Sequence, residues 1–169
     1  MTIAEEYRIH LAQRSDVSII ARQRAEMFRD MGLLPDEDVP TIETSSCAWL
    51  DRLMSSGEYV GWLVLDRRDN VVAGGGVLLR EQGPVPGCPH PAGLAHVVNV
   101  FTSKSHRRIG IGKFLMSAIL LWCSNNAVEH ITLGTSEDAR SLYESLGFVY
   151  TPELMKFSRS VPAQTPIAK

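Results

Sequence analysis

Residues 106–123, HRRIGIGKFLMSAILLWC, carry the strongest chemical signal in the chain. Gly110 and Gly112 open a run in which Ile111, Phe114, Leu115, Ala118, Ile119 and Trp122 share one helical face. The first turn of such a helix has backbone N–H groups without partners, and the helix dipole adds positive potential there. Glycine lets an anion approach that backbone closely. Lys104, Arg107, Arg108 and Lys113 add four formal positive charges within ten residues. The chemistry this suits is anion binding, phosphate above all. A tight turn with solvated arginines fits the same residues, because Gly-x-Gly alone is a weak pattern. Two other phosphate motifs are excluded: Leu115 stands at the third Rossmann glycine, and a Walker loop needs glycine at Arg107 and a hydroxyl residue at Phe114.

Other polar residues carry weaker signals. His96 and Asn99 interrupt an otherwise apolar strand, His96–Thr102, and each fits either a core role or a site. Cys88 and His90 sit close together in GCPHP, but two ligands without further partners do not make a metal site, so no metal is expected. Gly74, Gly75 and Gly76 either leave room for a substrate or mark a bulge, with the first slightly favoured. Spacing alone reads Tyr143 as packing over Leu142 and Leu146.

The elements that must hold these groups alternate in type. Tyr7–Ala12 reads as a strand, and Ser15 and Asp16 then cap a helix carrying Val17, Ile20, Met27, Phe28 and Met31 and ending at Gly32. LLPDEDVPT reads as a loop. A second helix places Trp49, Leu50, Leu53 and Met54 on one stripe and stops at Gly57. YVGWLVLD and VVAGGGVLLR form a hairpin across residues 67–70. Residues 81–95, rich in proline and glycine, read as a long loop before the central strand 96–102. The glycine-led helix, the strand HITLG, a short helix around Leu142 to Leu146 closed by Gly147, and a last strand FVYTPELMKF complete a single domain over 1–157. Residues 158–169 read as a flexible tail.

Arg107-x-x-Gly110-x-Gly112 after a central strand, followed by an amphipathic helix, a strand and ARSLYESLGF, resembles the GCN5-related N-acetyltransferases (GNAT). The resemblance is strongest from Ala95 to Phe157. It implies a mixed α/β fold, a central mixed β-sheet flanked by helices, with acetyl-CoA bound where the central strands splay apart. It further implies that the backbone of Val100, Phe101 and Thr102 pairs with the pantetheine arm, and that Arg107, Arg108, Ile109, Gly110, Ile111, Gly112 and Lys113 surround the pyrophosphate. The family's last helix shows Asn-x-x-Ala/Gly-x-x-Leu-Tyr, and this chain has Ser136, Ala139, Leu142 and Tyr143, so Ser136 replaces the usual amide. Tyr143 is then the acid that protonates the departing thiolate. His96 stands where the family often places a glutamate base, and its reference pKa near ~6.5 suits proton acceptance at neutral pH. Asn99 is expected to orient a group by hydrogen bonding, and the peptides near Val100 and Phe101 to polarise the thioester carbonyl. No cysteine occupies the matched positions, which favours direct attack in a ternary complex over an acyl-enzyme.

The expected activity is transfer of an acetyl group from acetyl-CoA to a primary amine of a small molecule, with residues 31–41 and 81–95 shaping the acceptor pocket. A CoA-binding sensor with the same fold and no turnover is the alternative. A net charge of −2 argues against the third reading, nucleic-acid binding through residues 104–113. At 169 residues, 44% of them hydrophobic and 21% charged, the composition is that of an ordinary globular domain. Three scattered cysteines, Cys47, Cys88 and Cys123, suit reduced thiols in a cytoplasm rather than a disulfide framework. No apolar run reaches the length that spans a bilayer. The expected partner is a small-molecule amine, with no nucleic acid and no membrane; a homodimer is left open.

Overall fold

The computed structural model describes residues 2–152. A five-stranded sheet runs in the order β1 (Arg8–Leu11), β2 (Tyr59–Leu65), β3 (Val71–Gln82), β4 (Ala92–Thr102) and β5 (Val128–Leu133). Pairs from β1 to β4 are antiparallel and β4 with β5 is parallel, giving the mixed sheet expected. The helices are α1 (Ile3–Glu6), α2 (Val17–Asp30), α3 (Val39–Ser56), α4 (Ile111–Asn125) and α5 (Glu137–Glu144). No described helix is long and apolar enough to cross a membrane.

Both faces of the sheet are covered, which explains why β2 reads YVGWLVL with no polar alternation. Tyr59 and Leu63 point to one side and join Val17, Ile20, Ala21, Leu50 and Leu53 from α2 and α3. Trp62 and Val64 point to the other and join Ile111, Leu115, Met116, Ile119 and Cys123 from α4. Trp62 and Trp122 meet edge to face there, ring centroids 5.5 Å apart. The α4 stripe expected from spacing holds, with Met116 and Cys123 replacing Phe114 and Trp122 as its most buried members.

Several boundaries differ from expectation for physical reasons. α3 begins inside the expected loop, because Pro40 falls in its first turn, where a missing N–H costs nothing. The long loop shrinks to residues 83–91: Ala92 to Ala95 pair with Gln82 to Leu79, so both strands extend into the glycine- and proline-rich stretch. The last short helix starts earlier than expected, at Glu137 behind the N-cap Ser136. Of the expected final strand, residues 148–152 are not in a strand, and 153–157 lie outside the described residues, as does the tail 158–169.

The triple glycine of β3 accommodates the protein's own side chains rather than a substrate. A Cβ on Gly76 would lie 2.3 Å from the Tyr59 hydroxyl, and one on Gly74 would lie 2.3 Å from Gln23 Oε1. Gly76→Val should therefore destabilise the fold by about 1–3 kcal/mol, the usual cost of overpacking, as measured by urea unfolding. An unchanged midpoint would mean that Tyr59 has room to move aside.

Candidate active site

The site begins with an irregularity in β4. Gly74 pairs with Phe101 and Gly76 with Val98, so Asn99 and Val100 together oppose Gly75 alone. This is a β-bulge, and Asn99 adopts the left-handed conformation at φ 60°. Asparagine tolerates that region better than most residues. Its side chain is buried and held from both ends: Arg24 Nη1 donates to Asn99 Oδ1 at 2.5 Å, and Asn99 Nδ2 donates to the Tyr59 hydroxyl at 3.2 Å. Burial pushes the Tyr59 phenol up to about 12 against the opposing pull of Asn99 and Arg24, so it stays neutral.

The bulge bends β4 away from its parallel neighbour. Pairing with β5 runs from Gly93 opposite Val128 to Val97 opposite Leu133 and stops. Beyond it, residues 98–102 have no partner strand on that edge among the described residues, and the chain after β5 diverges through Gly134, Thr135 and Ser136 into α5. A cleft of about 580 Å³ opens between them, floored by residues 96–102 and walled by α2 and α5.

Three expected catalytic residues border this cleft: His96, Asn99 and Tyr143. The Tyr143 ring packs edge to face on Phe148, centroids 5.9 Å apart, while its hydroxyl has no hydrogen-bond partner among the described residues. Burial raises its pKa, so it remains a proton donor at neutral pH. His96 Nδ1 lies 2.8 Å from Thr132 Oγ1. Burial first, and then the charge of Arg80, lower its pKa and favour the neutral imidazole. Asn99 turns its amide into the protein, towards Arg24 and Tyr59, and so fixes the bulge.

Of the expected anion-binding group, Val100, Phe101, Thr102, Arg107 and Arg108 line the cleft, whereas Ile109, Gly110, Ile111, Gly112 and Lys113 continue the turn beyond it. Gly110 is the N-cap of α4 at φ 95°, and Arg108 is also left-handed at φ 65°. The N–H groups of residues 108–113 find no backbone acceptor among the described residues. Ile111 is a core residue, and a Cβ on Gly112 would crowd Leu142 at 3.2 Å, so Gly112 also serves the packing of α4 on α5.

The four cations of the turn are not equivalent. Arg107 and Lys104 both pair with Asp30 at the end of α2, Lys104 at 3.1 Å, and Arg107 also donates to the Thr102 carbonyl at 2.8 Å. Burial raises the Asp30 carboxyl, but the hydrogen bonds and charges of Arg107 and Lys104 outweigh it and hold the group below its usual range. Arg108 and Lys113 have no ion-pair partner among the described residues, and they are the cations left for an incoming anion.

Arg24, Asp30 and Tyr59 belong to the site without standing out in the sequence. Arg24 carried a usable signal: it falls on the apolar stripe of Ile20, Met27, Phe28 and Met31, where a charge needs a reason. Of the two segments expected to shape the acceptor pocket, only Met31 reaches the cleft, with Met27 and Phe28 beside it. Cys88 gathers with Glu129 and His130, ligand atoms within 4.8 Å of one another, rather than with His90. None of these three lines the cleft.

This architecture is shared with known proteins. The model of the acetyltransferase (GNAT) family matches residues 20–148. A GCN5-related N-acetyltransferase from Ralstonia eutropha JMP134 is 25% identical, with a TM-score of 0.77 over 90% of this chain and 98% of its own. A predicted acetyltransferase from Clostridium acetobutylicum, solved with acetyl-CoA, is 18% identical, with a TM-score of 0.79 over 90% and 96%. Glucosamine-6-phosphate N-acetyltransferase from Arabidopsis thaliana is 16% identical, with a TM-score of 0.64 over 90% and 98%. No curated protein matches the chain by sequence. A family model that spans most of the chain, together with the same sheet and helices in solved relatives, shows that the chain belongs to the GNAT acetyltransferase family.

Proposed function

We propose that the protein transfers an acetyl group from acetyl-CoA to the primary amine of a small molecule, by direct attack in a ternary complex. The observation that carries this reading is the edge of β4 over residues 98–102, open among the described residues, which leads to N–H groups at the start of α4 with no backbone acceptor among them, and Tyr143 borders the same cleft. A donor built of amide groups and phosphates fits both features. The open peptide groups accept it as an added strand, and the helix start with Arg108 and Lys113 takes its negative charge. When bound, acetyl-CoA supplies the acyl group as an activated thioester.

The chain's own groups then move protons. In the tautomer that donates from Nδ1 to Thr132 Oγ1, His96 presents the lone pair of Nε2 and accepts a proton from the acceptor's ammonium. Tyr143 Oη would donate its proton to the departing thiolate, and the second proton shed by the attacking nitrogen as it becomes an amide would restore the phenol. The bulge held by Asn99 orients peptide N–H groups near Val100 and Phe101 to polarise the carbonyl under attack.

A panel of amines offered with acetyl-CoA, with free thiol and acetylated product both measured, tests the reading. Tight acetyl-CoA binding with no amine acetylated would favour a CoA-binding sensor instead. The pH profile tests His96. A base must be neutral to act, so activity should rise with pH through a midpoint below the ordinary histidine value of 6.5. His96→Ala should erase that acidic limb. A limb that persists in the variant would move the base to water or another group.

A further inference from the structure

We propose that Arg24 recognises an anionic group on the acceptor, so that the substrate is an acidic amine carrying a carboxylate or phosphate close to its amino group. This rests on the acetyltransferase reading and narrows it to a substrate class. Arg24 lines the cleft with Asn99, His96 and Tyr143. Its guanidinium carbon lies over two rings, 4.7 Å from the Phe28 centroid and 5.0 Å from that of Trp49. Rings contact a guanidinium through its faces and leave the in-plane N–H donors to be satisfied otherwise.

Of the five donors, one goes to Asn99 Oδ1, and no other hydrogen bond from Arg24 occurs among the described residues. No carboxylate among them pairs with it either. Asp30, which borders the same cleft, is held by Lys104 and Arg107, and Asp138 makes no ion pair with Arg24. The two rings hold the charge in place in advance. Burial opposes its charge, and an anion in the cleft would relieve that cost. A guanidinium held over two rings, half-buried and short of acceptors in this cleft suits the paired oxygens of an acidic group.

A structural duty alone, holding the bulge through Asn99, predicts something different. Loss of that contact would slow every acceptor alike. Recognition predicts a further effect, beyond that general one, confined to acidic amines. The test uses matched pairs, each acidic amine beside its neutral amide or ester, in carboxylate and phosphate series. Binding is measured by calorimetry with CoA present and turnover with acetyl-CoA, on the wild type, Arg24→Met and Arg24→Lys.

The wild type should favour the acidic member of one series by roughly 30-fold or more, the range for a desolvated charge pair, and whichever series shows it identifies the anion. Arg24→Met should slow both members through the lost Asn99 contact and weaken the acid by a further factor, so that the preference between them disappears. Arg24→Lys should recover part of it, because the charge returns without the fork. The wild-type comparison stands even if a variant fails to fold. A wild type with no preference in either series overturns the proposal, as does an Arg24→Met protein that loses both members equally. Acid-selective binding without acetylation would uphold Arg24 and sink the acetyltransferase reading, so the two failures are distinct.

Discussion

Tyr143→Phe should bind acetyl-CoA as tightly as the parent protein and turn over roughly 10²–10⁴-fold more slowly, the range for a positioned acid. The substitution removes one oxygen and nothing else. The ring keeps its edge-to-face contact with Phe148 and its place in the core beside α4, so stability should hold. The phenol borders the cleft without a protein partner among the described residues, and burial keeps its proton on well past neutrality. Loss of activity on the alkaline side should therefore begin only above the ordinary tyrosine value of 10.0, and the Tyr143→Phe protein should show no such limb. Single-turnover measurement separates the acid step from product release. An unchanged rate would leave the departing thiolate to water and reduce Tyr143 to a packing residue.

What the sequence makes legible is local. Gly110 and Gly112 stand two residues apart at the head of a helical apolar stripe, and a neighbouring residue is enough to interpret each. Tyr143 is legible through its motif, ARSLYESLGF. The bulge is not legible, because it depends on Gly74 pairing with Phe101 and Gly76 with Val98, a register that no nearby residue announces. Asn99 reads as a polar residue of the central strand, and its left-handed backbone follows only from that register. The extent of β3 and β4 is hidden for the same reason. Composition marks residues 81–95 as a loop, but cross-strand hydrogen bonds carry the ladder out to Gln82 and Ala92.

Charge is hard to read where partners are distant in sequence. Counting four cations at the turn overlooks Asp30, which lies far upstream on α2 and takes Lys104 and Arg107. The triple glycine suggests room for an acceptor because the sequence cannot say which side chain will fill the space. Tyr59 and Gln23 fill it, each from another element. Arg24 escapes notice although it breaks the apolar stripe of α2, and that break is the kind of local conflict that marks functional positions.

Gly110→Val should fold and yet lose acetyl-CoA affinity by roughly tenfold or more, since about 1–3 kcal/mol of backbone strain must be met whenever the turn adopts its native form. The strain comes from φ 95°, a region that a β-branched residue resists. Space is not the difficulty: a Cβ there would meet only Ile3 Cδ1, at an ordinary 3.5 Å. The core therefore stays as it is, and the turn relieves its strain by rotating. Rotation turns the N–H groups of residues 108–113, which have no backbone acceptor among the described residues, and carries Arg108 with them. The branched side chain also stands where phosphate oxygens would approach the backbone. Gly112→Val makes the contrast. Its backbone is unstrained, but its Cβ would press on Leu142 Cδ2 at 3.2 Å, so the Leu142 side chain, next to Tyr143 on α5, must give by a few tenths of an ångström. That variant should lose stability and turnover, while Gly110→Val loses affinity first. Calorimetry with CoA and thermal melts on both proteins distinguish them. Undiminished CoA affinity in a folded Gly110→Val protein would show that the turn holds no phosphate.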